Sequence, residues 1–191
     1  IRQRNQQEAD RREAMRRIES AGVPPEFRQW DAAKGNGTLA RFIRDHRDRN
    51  LLVIGANGKC KTRAAAYNLL LEAKAGQRCR FCDYPELALE YAAAMQKSAQ
   101  EGLDFVRELL RQSEILLIDD IAKRKLNETG GELLYRLVNA VYEGAATRLW
   151  ITSNKDLAPL LQRFENGDTG DAVISRFDRL IDDERMSIYR V

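Results

Sequence analysis

A lysine-containing loop between an apolar run and a helical stretch most constrains how this chain folds. The run 51–55 (LLVIG) is predicted to be a strand, and the Ala- and Leu-rich residues 61–75 are predicted to be a helix. The eight residues 55–62 (GANGKCKT) join them and match the phosphate-binding pattern G-x-x-x-x-G-K-[ST] at its first glycine, its lysine and its threonine. Motif and context together predict a phosphate-binding loop.

The loop predicts a site for a nucleotide, with ATP and Mg²⁺ as the expected ligands. Backbone N–H groups and the positive end of the following helix converge on phosphate oxygens in such loops. We expect Lys61 to reach the β and γ phosphates and the Thr62 hydroxyl to hold Mg²⁺. The candidate nucleotide-binding residues are Gly55, Asn57, Gly58, Lys59, Cys60, Lys61, Thr62 and Arg63.

One loop residue departs from the pattern, because Cys60 stands where the second glycine belongs. A side chain there lies close to the phosphates, and the loop is expected to form if Cys60 keeps φ below zero. Both normal and weakened nucleotide binding are compatible with this substitution. We expect alkylation of Cys60 to block nucleotide binding.

Two further strand ends carry polar residues. The apolar run 115–119 (ILLID) ends in Asp119, which we assign to magnesium, and Asp120, which we assign to the attacking water; a helix cap is the alternative. Asn154 follows the run 149–153 (LWITS) and is a candidate for contact with the γ-phosphate or the water. Ligands of such sheets bind beyond the carboxyl ends of the strands, where all three groups fall.

The alternation of short apolar runs with helical stretches predicts an α/β fold. Strands without polar alternation are buried on both faces, which is typical of a parallel sheet covered by helices in three layers. Thr129 and Glu132 are placed as a capping box for the helix that carries the apolar residues 133–141.

The remaining composition sets bounds on the class of protein. Residues 1–20 are predicted to be a basic helical arm or linker from a preceding region, and 21–191 the main domain. The formal net charge of +3 is too mild to imply nucleic acid by itself. No run is long enough for a membrane span, and three cysteines make no disulfide framework, so a cytoplasmic protein is expected.

A zinc site formed by Cys79 and Cys82 is disfavoured. The pair lies in a predicted strand, where residues three apart point to opposite faces, and Cys60 and His46 are the only available further ligands.

The set of motifs resembles a known family. These motifs look like those of the DnaC/DnaI-type helicase loaders among the AAA+ ATPases, and the IstB-type transposition ATPases share the same core. The motifs are the loop 55–62, Ile118-Asp119-Asp120, Thr152-Ser153-Asn154 and Ser175-Arg176-Phe177. The resemblance covers roughly residues 20–191. It implies a P-loop NTPase sheet of order 5-1-4-3-2 without a C-terminal lid domain, in a bacterial or phage-encoded protein.

The resemblance also implies roles for particular residues. Arg176 would act as an arginine finger on the nucleotide of a neighbouring subunit, which requires self-association into a ring or helical oligomer. A surface ion pair with Asp178, Asp182 or Asp183 is the alternative, and Arg179 is the substitute candidate.

The expected partners are a replicative ring helicase and single-stranded DNA. In the family, the helical region 84–112 helps to hold the strand, and here Lys97 and Arg107 are its available cations, with Tyr84 and Tyr91 as candidate stacking rings. For Tyr91, packing in the core is the favoured alternative. The loop Lys123, Arg124 and Lys125 is a better candidate for phosphate contacts, against the alternative of a solvated loop.

Three functions therefore compete. The first is a helicase loader that hydrolyses ATP to ADP as a switch, and the second is an IstB-like ATPase that acts on duplex DNA. The third is a scaffold whose ATPase is weakened by Cys60. A small-molecule kinase is disfavoured because no acceptor site is evident.

Overall fold

The computed structural model of the chain describes residues 2–28 and 36–191, and of residues 2–7 only the backbone. The described residues form five strands and nine helices. The strands are β1 (Asn50–Ile54), β2 (Cys79–Asp83), β3 (Ile115–Asp119), β4 (Arg148–Ser153) and β5 (Met186–Arg190). The helices are α1 (Arg2–Ser20), α2 (Pro25–Arg28), α3 (Gly37–Asp45), α4 (Lys61–Lys74), α5 (Tyr84–Lys97), α6 (Ala99–Gln112), α7 (Glu128–Tyr142), α8 (Leu157–Leu161) and α9 (Gly167–Asp182).

The five strands form one parallel sheet of order β2-β3-β4-β1-β5. This is the order 5-1-4-3-2 read from the other edge, so the expected topology is confirmed. The described residues include no helical lid after β5.

Helices cover both faces of the sheet, and each face has its own core. Leu51, Val53, Leu117 and Trp150 face a core with α3 and α4, together with Ala21 and Val23 of the segment that follows α1. Their neighbours along the strands, such as Leu52, Ile118 and Ile151, face a core with α5, α6, α7 and α9. Because successive strand residues point to opposite faces, both faces of β1 and β3 are buried, as their continuous apolar runs predict.

The two cysteines of β2 follow the same alternation. Cys79 lies in the core on the α4 face, and Cys82 lies in the core on the α7 face. The prediction that their side chains point to opposite faces is confirmed.

Helix α7 does not begin with the predicted capping box. Its N-cap is Asn127, whose side chain accepts a hydrogen bond of 2.9 Å from the Gly130 N–H. Thr129 lies inside the helix, so the assignment of Thr129 and Glu132 as the box is wrong by two residues.

Helix α1 occupies the predicted helical stretch and packs against α4 and β2. Among the described residues, no helix is both long enough and apolar enough to cross a membrane.

The last backbone contact of β5 lies beside the start of the phosphate loop. The Val191 N–H donates to the Ile54 carbonyl at 2.8 Å. A Cβ on Gly55 would stand 2.9 Å from the Val191 carbonyl oxygen, so this close approach requires glycine at position 55.

Candidate nucleotide-binding site

The sequence motifs meet at the carboxyl edge of the sheet. β1 leads into the loop 55–60, β3 ends at Asp119, and β4 ends at Ser153. These three strands are neighbours in the order β3-β4-β1, so the topology brings the loop and the acids together. The predicted convergence of the loop with Asp119 and Asp120 is present in the structure.

The loop closes with Cys60 in a left-handed conformation. Cys60 is the N-cap of α4 with φ 58° and ψ 24°, and Gly58 also has a positive φ of 80°. The expectation that Cys60 keeps φ below zero is therefore wrong. The left-handed conformation costs an L-residue about 1–2 kcal/mol, which explains why the pattern has glycine there. The loop forms nonetheless, because its two ends are fixed by β1 and α4.

Lys61 is buried in the mouth of the loop. Its side chain is 8% exposed, and its Nζ donates a hydrogen bond of 3.0 Å to the carbonyl of Ala56 in the same loop. Burial lowers the pKa of Lys61, while the charges of Asp120 and Asp119 act in the opposite direction. A cation that has lost water and faces the loop is suited to an anionic ligand.

A chain of hydrogen bonds connects α4, β3 and β4. The hydroxyls of Thr62 and Thr152 both donate to Oδ1 of Asp119, each at 2.7 Å. The Thr152 hydroxyl in turn accepts from the Asp120 N–H at 2.8 Å. This network fixes the Asp119 carboxylate beside the Thr62 hydroxyl, which are the two groups assigned to magnesium.

The two acids differ in how they are held. Burial raises the pKa of Asp119, and the hydrogen bonds from Thr152 and Thr62 oppose that shift. Burial also raises the pKa of Asp120, against the charges of Lys61 and Lys123. Oδ1 of Asp120 is buried and has no hydrogen-bond partner among the described residues. That orphaned acceptor is available to a water or other donor that enters the site.

These residues fit a nucleotide bound with Mg²⁺. A carboxylate and a hydroxyl are the hard oxygen donors that Mg²⁺ prefers, and Asp119 and Thr62 present them next to each other. A cavity of about 410 Å³ opens over the loop. It is lined by Phe27, Asn57, Gly58, Lys59, Cys60, Lys61, Thr62, Arg63, Asp120 and Thr152.

Asn154 lies at the same edge but contributes less directly. It follows β4, and its Oδ1 is buried without a partner in the part of the chain that the structure describes. Thr152, and not Asn154, is among the residues that line the cavity. The role of Asn154 toward the γ-phosphate stays a prediction.

Arg176 lies on α9 and contacts α7. Its Nε donates to Asn139 Oδ1 at 3.0 Å, and its guanidinium carbon lies 5.2 Å from the ring centroid of Tyr142 and 5.9 Å from that of Tyr135. The alternative prediction, an ion pair with Asp178, Asp182 or Asp183, is not what the structure shows for this side chain. Arg179 also contacts Tyr142, donating to its hydroxyl at 3.0 Å.

The candidate nucleic-acid residues do not form one surface with the two tyrosines. Tyr84 and Tyr91 are 2% and 0% exposed, and both belong to the core beside α7. The assignment of Tyr84 as a stacking ring is therefore wrong, and the core role favoured for Tyr91 is confirmed. Lys97, Arg107, Lys123, Arg124 and Lys125 are exposed. Two of them have acidic partners: Lys123 lies 3.2 Å from Asp83, and Arg107 lies 3.2 Å from Asp104.

The roles of two functional groups were not predicted from the sequence. Thr152 links Asp119 to Asp120, and the carbonyl of Ala56 holds Lys61. A threonine inside the apolar run 149–153 was a usable signal, because a buried hydroxyl needs a hydrogen-bond partner. No side-chain pattern signals the backbone carbonyl.

Comparison with known proteins gives one family and several similar folds. The sequence profile of the family described as IstB-like ATP binding protein matches residues 26–186. An ATP-binding protein of insertion sequence IS21 from Pseudomonas aeruginosa is 28% identical over 170 residues, which cover 84% of this chain and 62% of that protein. The chain therefore spans less than two thirds of the length of this curated relative.

Solved structures share the fold. The DnaC helicase loader matches with a TM-score of 0.61 and 22% identity, over 81% of this chain and 86% of that one. DnaI matches with a TM-score of 0.64 and 14% identity, over 88% and 94%. AMPPCP-bound DnaA from Aquifex aeolicus matches with a TM-score of 0.64 and 16% identity, over 88% and 51%. At these identities the matches show the AAA+ fold alone.

Proposed function

Because the chain belongs to the IstB-like ATP-binding protein family, we propose that it binds ATP with Mg²⁺ and hydrolyses it to ADP as a conformational switch. The observation that carries this proposal is the arrangement at the carboxyl edge of the sheet. There Lys61, Thr62 and Asp120 line one cavity, Asp119 accepts a hydrogen bond from Thr62, and the charges of Asp119 and Asp120 act on Lys61.

Each residue has a proposed part in the reaction. The loop N–H groups and Lys61 bind the phosphates, while Thr62 and Asp119 hold the metal. Asp120 orients the attacking water with its orphaned carboxylate oxygen, and Asn154 assists at the same edge. The bound metal supplies charge neutralisation at the phosphates.

Arg176 is proposed to act on the nucleotide of a neighbouring subunit. Its described contacts are with α7 and do not include the phosphate loop of its own chain, which supports a role in trans. An arginine finger contributes about 10³–10⁵-fold to the turnover number in related chemistry. A lone subunit should accordingly hydrolyse ATP slowly.

Nucleotide binding and turnover of wild type and Lys61→Ala test the ATPase. We expect Lys61→Ala to abolish both, and Lys74→Ala, which removes a charge from the far end of the same helix, to change neither. If Lys61→Ala leaves ATP turnover unchanged, the proposal that this loop is the ATPase site is wrong.

Mixing variants tests the action in trans. Lys61→Ala and Arg176→Ala are each expected to be inactive, and their mixture is expected to regain activity, since one subunit supplies the intact loop and its neighbour the arginine. A mixture that stays inactive contradicts a finger in trans and leaves Arg176 as a structural contact between α9 and α7.

Two biological roles follow from the same switch. The first is the preparation of duplex DNA in insertion-sequence transposition, which the family profile and the IS21 relative support. The second is the loading of a replicative ring helicase onto single-stranded DNA, supported by the near-complete overlap with the DnaC and DnaI folds. In either role, the proposed DNA contacts are Lys97, Arg107, Lys123, Arg124 and Lys125.

Salt-dependent DNA binding separates the two roles. The affinity for the true substrate should fall steeply with salt, because phosphate contacts release counterions. Preference for duplex supports transposition, and preference for single strands supports helicase loading.

A further inference from the structure

A second cavity lies at the amino edge of the sheet, opposite to the phosphate loop. Its volume is about 330 Å³. The end of α1, the turn after α4, the start of β2 and the residues before β3 form its walls. The residues that give it chemical character are Arg17, Gly76, Arg78, Arg80 and Ser113.

The cavity is lined by three arginines and, among the described residues, by no acid. Carboxylates reach these arginines from outside the cavity: Glu13 contacts Nη2 of Arg17, Glu114 lies 3.6 Å from Arg78, and Glu90 lies 4.0 Å from Arg80. The side chains of all three arginines are between 37% and 61% exposed, so these pairs are worth little. Arg78 also donates from Nη1 to the Arg111 carbonyl at 3.3 Å, and Arg80 is directed to Glu90 on α5. The N–H groups available to a stronger anion are therefore the remaining ones of Arg78 and those of Arg17 that do not contact Glu13.

One arginine lies against a glycine of the cavity wall. Gly76 has a φ of 109°, and a Cβ built there would stand 3.1 Å from Nη1 of Arg17. Nη1 is not the nitrogen that contacts Glu13, so it can donate to a ligand while that ion pair persists. A side chain at position 76 would both strain the backbone and displace the guanidinium.

A buried hydroxyl adds a second kind of donor. Ser113 is 3% exposed, and its Oγ has no hydrogen-bond partner among the described residues. A buried polar group without a partner is unusual and costs about 1–3 kcal/mol, unless a ligand or water satisfies it. Burial raises the pKa of the neighbouring Cys79 thiol to about 12, so that thiol stays neutral and does not repel an anion.

We propose that this cavity binds a phosphate group through Arg17 and Arg78, with the Ser113 hydroxyl as a further donor. Guanidinium groups match phosphate oxygens in geometry and in charge. The site lies at the edge of the sheet opposite to the ATP site and needs no ATP, so it goes beyond the proposed function. The phosphate comes either from a nucleic-acid backbone or from a small phosphorylated molecule.

Amide NMR on the wild-type protein tests this proposal with site resolution. Inorganic phosphate and a short oligothymidylate are titrated separately while the amides of residues 76–80 and of 57–63 are followed. We expect saturable shifts at 76–80 with phosphate. Shifts with the oligonucleotide as well identify a nucleic-acid source, and shifts with phosphate alone identify a small molecule. If neither probe produces saturable shifts at 76–80, the proposal is overturned, whatever happens at 57–63.

Matched variants distinguish a specific phosphate-binding site from non-specific electrostatic attraction. Arg17→Gln and Arg78→Gln should each weaken phosphate binding about tenfold, the value of one charge-assisted hydrogen bond. Arg12→Gln removes the same charge from an exposed position of the same helix and should have little effect. Equal weakening by Arg12→Gln would contradict the site. Ser113→Ala keeps every charge and should weaken binding about fivefold.

Discussion

At the scale of single residues, Cys60 shows how a loop tolerates a side chain that its pattern excludes. Neighbouring structure imposes a φ of 58° on it, and the resulting strain is localised in one residue at the mouth of the cavity. The sequence showed that Cys60 replaces the glycine of the pattern, but it did not show that this residue adopts a left-handed conformation. The backbone angle depends on where β1 and α4 are anchored, which a single position cannot reveal.

Replacing Cys60 by glycine should relieve that strain. We expect Cys60→Gly to raise the free energy of unfolding by up to about 1 kcal/mol, since the left-handed penalty exceeds the entropy that glycine loses on folding. Nucleotide affinity should rise as well. Cys60→Ala retains a Cβ and should give neither gain, so equal denaturation midpoints for the two variants would contradict strain as the cause.

The Asp120 side chain is expected to lower the stability of the ligand-free protein and to be required for ATP turnover. Its pKa is raised by burial even with the attraction of Lys61 included, so the charged form of Asp120 is less favourable in the folded chain than in the unfolded chain. The ligand-free protein should therefore gain stability as the pH falls through the folded pKa of Asp120 toward its unfolded value. We expect Asp120→Asn to raise the melting temperature at neutral pH, to remove this part of the pH dependence, and to lower ATP turnover at least about 100-fold.

The control is Asp178→Asn, an exposed carboxylate of α9, which should change neither property. A lower melting temperature for Asp120→Asn at neutral pH would contradict the prediction.

At the scale of elements, the strands were predicted more securely than the helix starts. Runs such as 115–119 are apolar at nearly every position because both faces are covered, and that pattern is unambiguous. The sequence pattern predicts the start of α7 at Thr129, whereas Asn127, which is equally competent as an N-cap, is the residue used. The loop that precedes a helix decides between such residues, and its path depends on tertiary contacts.

Removal of the α7 cap should cost stability in a predictable way. Asn127→Ala leaves the Gly130 N–H without its partner and should lower the free energy of unfolding by about 1 kcal/mol. Thr129→Ala, at the position that the sequence favoured, should change it much less. Chemical denaturation of both variants distinguishes them, and a larger loss for Thr129→Ala would show that the cap is misassigned.

At the scale of the whole molecule, one sheet separates two cores and should make them unfold together. Leu117 and Ile118 are adjacent, fully buried and point to opposite cores. We expect Leu117→Ala and Ile118→Ala each to cost about 2–5 kcal/mol and to leave a single transition. Circular dichroism and tryptophan fluorescence should give the same midpoint. A transition that splits in one variant only would show that the cores are independent.

The site as a whole was predictable to the extent that backbone topology determines it. Parallel strands bring their carboxyl ends together, so the meeting of the loop with Asp119 and Asp120 followed from the motifs. The contacts of Arg176 with Asn139 and Tyr142 were not foreseeable, because they depend on how α9 packs on α7. The burial of Tyr84 likewise depends on helix rotation, which an apolar pattern fixes only coarsely.

The contact between Lys61 and the Ala56 carbonyl affects how nucleotide binding depends on pH in the alkaline range. A carbonyl dipole compensates the ammonium less than a phosphate does, so the amine is more acidic before a nucleotide binds than afterwards. Complex formation should then take up a proton at alkaline pH. Calorimetry in buffers of different ionisation enthalpy would detect that uptake, and the affinity should decline as the solution becomes basic enough to discharge the lysine.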